Sequence, residues 1–124
     1  MLESAALVAF AASTNLDRSR AFYQDVLGLT LVSQDDLACV FDASGTMLRV
    51  TAVGELARAP YTILGWQVPD IVAMTRALAA KGVAFHRYEG MGQDADGIWT
   101  APGSARIAWF PDPDGNVLSL TQPA

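Results

Sequence analysis

The chain has one histidine, His86, in the alternating segment Val83-Ala-Phe-His-Arg-Tyr88. In an extended segment, alternation sets Val83 and Phe85 on one side and His86 and Tyr88 on the other. Such a His–Tyr pair suits hydrogen bonding to a ligand or general-base chemistry. It equally suits a strand-end histidine bonded to backbone or water, since no carboxylate is spaced to orient the ring. Arg49 lies in a second strand-like stretch, Met47–Val53. A guanidinium there reads as an anchor for a carboxylate or other anion, or as a group satisfied by an internal ion pair or by snorkelling to the rim. Glu89–Ser104 carries glycines at 90, 92, 97 and 103 and Pro102, without periodicity. Loops of this length are often functional or mobile. Met91 and Trp99 within it are placed to cover a ligand, or to plug a sheet or a subunit contact.

Other chemistry-bearing patterns fail on inspection. Gly90-Met-Gly92-Gln-Asp-Ala95 lacks the final glycine of a dinucleotide fingerprint, and no helix follows it. Asp94-Ala-Asp96-Gly97 and Asp112-Pro-Asp114-Gly115 lack the later spacing and terminal Glu of a calcium loop, so both read as turns. Ser44 and Ser104 have no nucleophile-elbow context. Cys39, the single cysteine, sits in an apolar stretch without a cationic neighbour and reads as an inert core residue.

The length of 124 residues suits one domain, and a hydrophobic fraction of 52% supplies a core, which excludes disorder. Eight basic against thirteen acidic residues, a formal charge of −5, argue against nucleic-acid and anionic-membrane partners. The longest apolar run, Ala5–Ala12, is too short for a membrane span. Met1-Leu2-Glu3-Ser4 lacks the basic region of a signal peptide, so a cytoplasmic location is expected.

Two amphipathic helices are predicted over Asn15–Leu27 and Asp70–Lys81. Thr14 or Asn15 caps the first, with Thr14 and Asp17 at capping-box spacing, and Gly28 and Gly82 end the two helices. Each helix follows one strand-forming segment (Ala6–Ala12, Tyr61–Val68) and precedes three others. These are Thr30–Ser33, Leu37–Phe41 and Met47–Val53 in the first half, and Val83–Tyr88, Arg106–Phe110 and Asn116–Thr121 in the second. Helix starts and ends repeat at nearly equal offsets. Both final hairpins turn at a glycine, Gly45 and Gly115, before an alternating strand. The expected fold is therefore α+β: two tandem βαβββ modules, about 1–54 and 60–124 of a single domain. Together they would give a curved mixed sheet of about eight strands around a cup-shaped cavity.

Asn15-Leu-Asp-Arg-Ser-Arg-Ala-Phe-Tyr-Gln-Asp-Val-Leu-Gly28-Leu resembles the first-helix signature of the vicinal oxygen chelate superfamily, the glyoxalase, bleomycin-resistance and extradiol-dioxygenase group. Phe110-Pro-Asp-Pro-Asp-Gly-Asn-Val-Leu resembles its last-hairpin signature. The resemblance spans nearly the whole chain. It implies four positions at strand ends converging on a divalent metal, usually His, Glu or Gln. Counted from the helix caps and hairpin glycines, these positions fall on Val8, Arg49, Ile63 and Ser119. Two have no donor atom, one is a fixed cation, and a neutral serine is a poor ligand. No cofactor is expected.

These residues favour a metal-independent protein that binds a small aromatic or anionic molecule, similar to bleomycin-resistance-like members. Phe10, Met47, Arg49, Gln67, His86, Tyr88 and Trp99 form the expected ligand-binding set, and no catalytic residue is assigned. The resemblance also implies a homodimer, since members of the superfamily often build their cavities across module or subunit contacts, and an isolated half would leave its sheet edge and concave face uncovered. The alternatives are a glyoxalase-like lyase, isomerase or dioxygenase with an atypical site, and a structural or interaction module whose cavity is filled by its own side chains.

Overall fold

Both helices begin where a short polar side chain replaces the missing intrahelical acceptor. In the computed structural model, which describes residues 1–124, Asn15 is extended and its side chain accepts from the Arg18 amide at 3.0 Å. Asp70 is likewise extended and accepts from the Ala73 amide at 3.1 Å. Thr14 Oγ1 also accepts from the Arg18 guanidinium at 3.2 Å. The first helix is α-helical only over α1 (Leu16–Arg20) and continues as a π-helical segment over Ala21–Val26. There the Leu27 amide donates to Phe22 O at 3.0 Å. This segment carries two adjacent aromatic residues. Tyr23 is fully buried against Phe41 at 5.8 Å between centroids, and Phe22 meets its edge at 5.3 Å. Gly28, at φ 76°, ends the run. The second helix, α2 (Ile71–Ala80), buries Ile71, Thr75 and Leu78 and closes at Gly82, φ 94°.

The chain divides into two compact units, Met1–Ala57 and Arg58–Ala124. The first contains β1 (Val8–Ser13), α1, β2 (Thr30–Gln34), β3 (Ala38–Ala43) and β4 (Thr46–Ala52). The second contains β5 (Thr62–Gln67), α2, β6 (Trp99–Thr100), β7 (Arg106–Pro111) and β8 (Val117–Gln122). Each forms a four-stranded mixed sheet with the same topology, β1-β4-β3-β2 and β5-β8-β7-β6. In each, the strand before the helix pairs in parallel with the last strand, and the other pairs are antiparallel. The fold is α+β, built from two tandem βαβββ modules.

Period-two alternation assigns the sheet faces. In the first unit Ala11, Cys39, Phe41, Leu48 and Val50 are buried on the helix side. In the second unit Ala108, Phe110, Leu118 and Leu120 do the same. Ser13 and Ser19 are both buried and share a 2.6 Å hydrogen bond between hydroxyls. Burial pushes the Cys39 thiol up from its ordinary pKa, which keeps it protonated and unreactive. No helix is long and apolar enough to cross a membrane.

One predicted strand is absent. Val83–Tyr88 has no ladder, and only the His86 amide reaches β7, donating to Trp109 O at 2.7 Å. A side chain takes over the neighbouring backbone groups. Gln93 Oε1 accepts from the Tyr88 amide at 2.7 Å, and Gln93 Nε2 donates to His86 O at 2.9 Å and Gly97 O at 2.8 Å. The short β6 then completes the sheet edge beside β7. The 89–104 segment is a hydrogen-bonded structure. The Asp94 carboxylate accepts from the Asp96 and Ile98 amides, both at 2.9 Å, and Arg76 of α2 pairs with Asp96 at 3.3 Å.

The last hairpin depends on Asp112. One carboxylate oxygen accepts from the amides of Asp114 and Asn116, and the other from Asn116 Nδ2. All three residues are buried. The Arg58 guanidinium lies over Gly115, where a Cβ would come within 2.7 Å of Nε, and donates to Asp114 O at 2.8 Å. In the equivalent first hairpin, Asp42 accepts a single amide bond, from Gly45, and is exposed. Asp112→Ala should therefore cost about 3 kcal/mol, because it strands buried donors, and Asp42→Ala less than about 1 kcal/mol. Urea unfolding midpoints at constant slope measure the difference.

Candidate functional site

In the first unit the sheet face opposite α1 is apolar around one cation. Val8 pairs with Met47 and Phe10 with Arg49 across the parallel β1–β4 ladder, and Val40 of β3 stands opposite Arg49 on its other side. Val8, Phe10 and Met47 are 39%, 59% and 45% exposed. Arg49 is half-buried and makes no hydrogen bond or ion pair within the chain, so the internal ion pair considered from sequence is not formed. The nearby carboxylates accept from backbone amides and take no bond from Arg49. Asp42 caps the Gly45 amide at 2.9 Å, and Asp35 accepts from the amides of Leu37 and Ala38 at 2.8 and 3.0 Å. These two amides, more than Arg49, hold the exposed Asp35 carboxyl below its usual range.

The second unit places aromatic rings on the corresponding face. Trp109 pairs with Ser119 across the β7–β8 ladder. Tyr88 meets Trp109 edge-to-face at 5.5 Å, and Trp99 lies against it, tilted by 34°, at 6.0 Å. His86 Nδ1 is 3.2 Å from the Tyr88 hydroxyl and the rings are perpendicular. Phe85 points the other way, to buried Phe110 at 5.5 Å. Residues 85–88 thus alternate as a strand does, although Gln93 rather than a ladder fixes them. Ser119 is 7% exposed and stands opposite Gly65 in β5, where a Cβ would lie only 2.8 Å from the serine hydroxyl oxygen. Gly65 is thus the residue that makes room for Ser119. Gln67 is exposed near the end of the same strand, opposite Thr121.

Phe10, Met47 and Arg49 share one face of the first sheet, and His86, Tyr88 and Trp99 gather in the second unit. The ring joining that second group, Trp109, was missed from sequence. Its signal lay in Ala108-Trp109-Phe110, where a buried Phe110 obliges Trp109 to face the other way. Gln93, which holds His86 and Tyr88 in place, carried no readable signal.

A model of the Glyoxalase/Bleomycin resistance protein/Dioxygenase superfamily matches residues 7–120. The chain belongs to this superfamily. Lactoylglutathione lyase from Agrobacterium tumefaciens is similar in structure at TM-score 0.76 and 16% identity, over 98% of this chain and 96% of that one. A superfamily member from Sphaerobacter thermophilus gives 0.76 at 19%, over 98% and 99%. The bleomycin resistance determinant encoded on transposon Tn5 gives 0.73 at 21%, over 94% and 96%. At these identities the likeness is one of fold. No curated protein matches in sequence.

The residues at the expected superfamily metal positions do not fit a divalent ion. Val8 and Ile63 have no donor atom, and Ile63 falls at an irregularity between Thr62 and Leu64 in the β5–β8 register. Arg49 is a cation, and the Ser119 hydroxyl is buried against Gly65. No group of three or more His, Cys, Asp or Glu side chains comes together anywhere in the chain. If Gln93 braces the His86–Tyr88 pair, Gln93→Ala should speed hydrogen exchange at the Tyr88 amide by about tenfold or more while α2 keeps its protection. Unchanged exchange at Tyr88 would remove that role.

Proposed function

We propose that this member of the superfamily binds a small aromatic or anionic molecule without a divalent metal; the candidate contact residues are Phe10, Met47 and Arg49 in the first unit and Gln67, His86, Tyr88 and Trp99 in the second. The observation that carries this reading is Arg49, an unpaired guanidinium on an apolar sheet face at a position where a metal ligand is expected. An unpaired, half-desolvated cation has much to gain from an anionic ligand and repels a divalent ion. The aromatic rings around Trp109 support the aromatic part of the reading, since stacked and edge-on rings offer contact area at little entropic cost. Chemistry based on His86 has less support, because its nearest polar partner is a tyrosine hydroxyl and no carboxylate orients the ring.

The test is a thermal-shift screen of chemically diverse small molecules, together with metal analysis of the purified protein. Compounds bearing a ring or an anionic group should raise the melting temperature, and Arg49→Ala or Trp99→Ala should diminish that effect. Stoichiometric zinc, nickel, manganese or iron, removable by chelator with loss of thermal stability, would overturn the metal-independent reading.

The same proposal includes a homodimer. Its support is β1, an edge strand of the first sheet, with Val8 and Phe10 exposed along it and Leu7 exposed just before it. Light scattering coupled to gel filtration should give twice the chain mass at micromolar concentration; a strict monomer would reject the dimer.

A further inference from the structure

The open face of the first sheet holds a second feature beside Arg49. An open depression of about 380 Å³ is lined by Val32, Val40, Phe41, Asp42, Gly45 and Met47. It arises from an irregularity in the sheet. The β2–β3 register shifts between Leu31 and Ser33, which leaves Val32 as an extra residue, 63% exposed, at the rim. A bulge of this kind bends its strand and re-aims a side chain. Val40 links the depression to the cation, because it lines the hollow and is also the direct cross-strand partner of Arg49. Partners of this kind have Cβ atoms about 5 Å apart. Met47, two residues before Arg49 on the same strand, shares its face and forms another wall.

We propose that this face is a binding site for an apolar monocarboxylate, with the hydrocarbon body in the hollow over Val32, Val40 and Met47 and the carboxylate on Arg49. The inference rests on the small-molecule reading above and makes it specific in ligand class and place. The volume lies in the range of small-ligand sites. The lining is apolar apart from Asp42, whose Oδ1 accepts from the Gly45 amide within its own hairpin. Arg49, with no hydrogen bond within the chain, is the cation beside the hollow, next to Val40. A planar guanidinium matches a carboxylate with two parallel hydrogen bonds. A neutral ligand would leave Arg49 unpaired, and a cationic one would be repelled. A short dicarboxylate would bring a second charge onto aliphatic side chains, which costs desolvation.

The head group and the body are tested separately on the full chain. Octanoate, octanol, octylamine and succinate are titrated into ¹⁵N-labelled protein and followed by amide shifts. Octanoate should bind about tenfold or more tightly than octanol, while octylamine and succinate should not saturate. The shifts should fall on β2, β3 and β4. Arg49→Gln should bring octanoate down to the level of octanol, and Val40→Glu should abolish both while leaving the β5–β8 amides in place. The head-group series needs no variant, so a misfolded mutant does not decide the matter. Equal binding of octanoate and octanol, or octanoate shifts confined to Tyr88, Trp99 and Trp109, would overturn this assignment. If octanoate fails on this face while compounds from the diverse screen still bind, this site is wrong and the broader reading stands. If nothing in either set binds, the broader reading falls as well.

Discussion

Each module has one helix and a sheet with two faces. A ten-residue helix such as α2 is about 15 Å long and packs against one face of its sheet, over β7 and β8. The second face receives no element of its own module in either topology. Alternation along the central strands converts that shortage into a division of labour. On β4, Leu48 and Val50 are 2% and 0% exposed and make the core, while Met47, Arg49 and Thr51 fall on the far side. Their backbone groups are already held by ladders to β1 and β3. Changing a side chain on the far side therefore sacrifices neither core packing nor sheet hydrogen bonds. The chemistry of a module is free to vary there while the fold stays fixed.

The two modules have used that freedom differently at one equivalent position. Arg49 and Ser119 each lie four residues beyond a hairpin glycine, on the strand that pairs in parallel with the first strand of the module. Arg49 stands between Phe10 and Val40, so a long cation rises from hydrocarbon. Ser119 stands between Gly65 and Trp109, so a small hydroxyl fills the space that glycine leaves and the bulk comes from the neighbouring indole. The first face offers charge and aliphatic contact. The second offers aromatic faces with a hydrogen-bonding edge at His86 and Tyr88. Duplication followed by divergence at one register position accounts for both surfaces without any change in topology.

Features carried by local chemistry were legible in the sequence. Asn15 and Asp70 cap helices because a short polar side chain can reach the third amide, and Gly28, Gly45, Gly82 and Gly115 stand where the backbone needs positive φ. The helix–strand order and the buried alternation followed from periodicity. Features that depend on distant partners were not legible. Val83–Tyr88 has strand composition and strand alternation, yet Gln93 supplies the hydrogen bonds a neighbouring strand would have given. Nothing in a lone glutamine announces that role. The π-helical turn at Ala21–Val26 is equally silent, because an α-helical apolar stripe accommodates the same residues. Within the candidate site, the isolation of Arg49 could not be read from composition. The carboxylates near it exist, and only the structure shows Asp35 and Asp42 accepting from backbone amides without a hydrogen bond to the guanidinium.

That isolation bears on whether the position could hold a metal. Replacing a carboxylate or imidazole ligand by arginine reverses the electrostatics of the position as well as removing a donor. A guanidinium in the coordination shell of a divalent ion would meet two like charges at a few ångströms, a repulsion on the order of several kcal/mol even at an effective dielectric of about 20. On the reading proposed here, the substitution therefore excludes the metal and creates a demand for an anion in one step. Val8, Ile63 and Ser119, at the other expected positions, then have no metal to hold. Those positions are released to hydrophobic contact or, at Ser119, to close packing against Gly65.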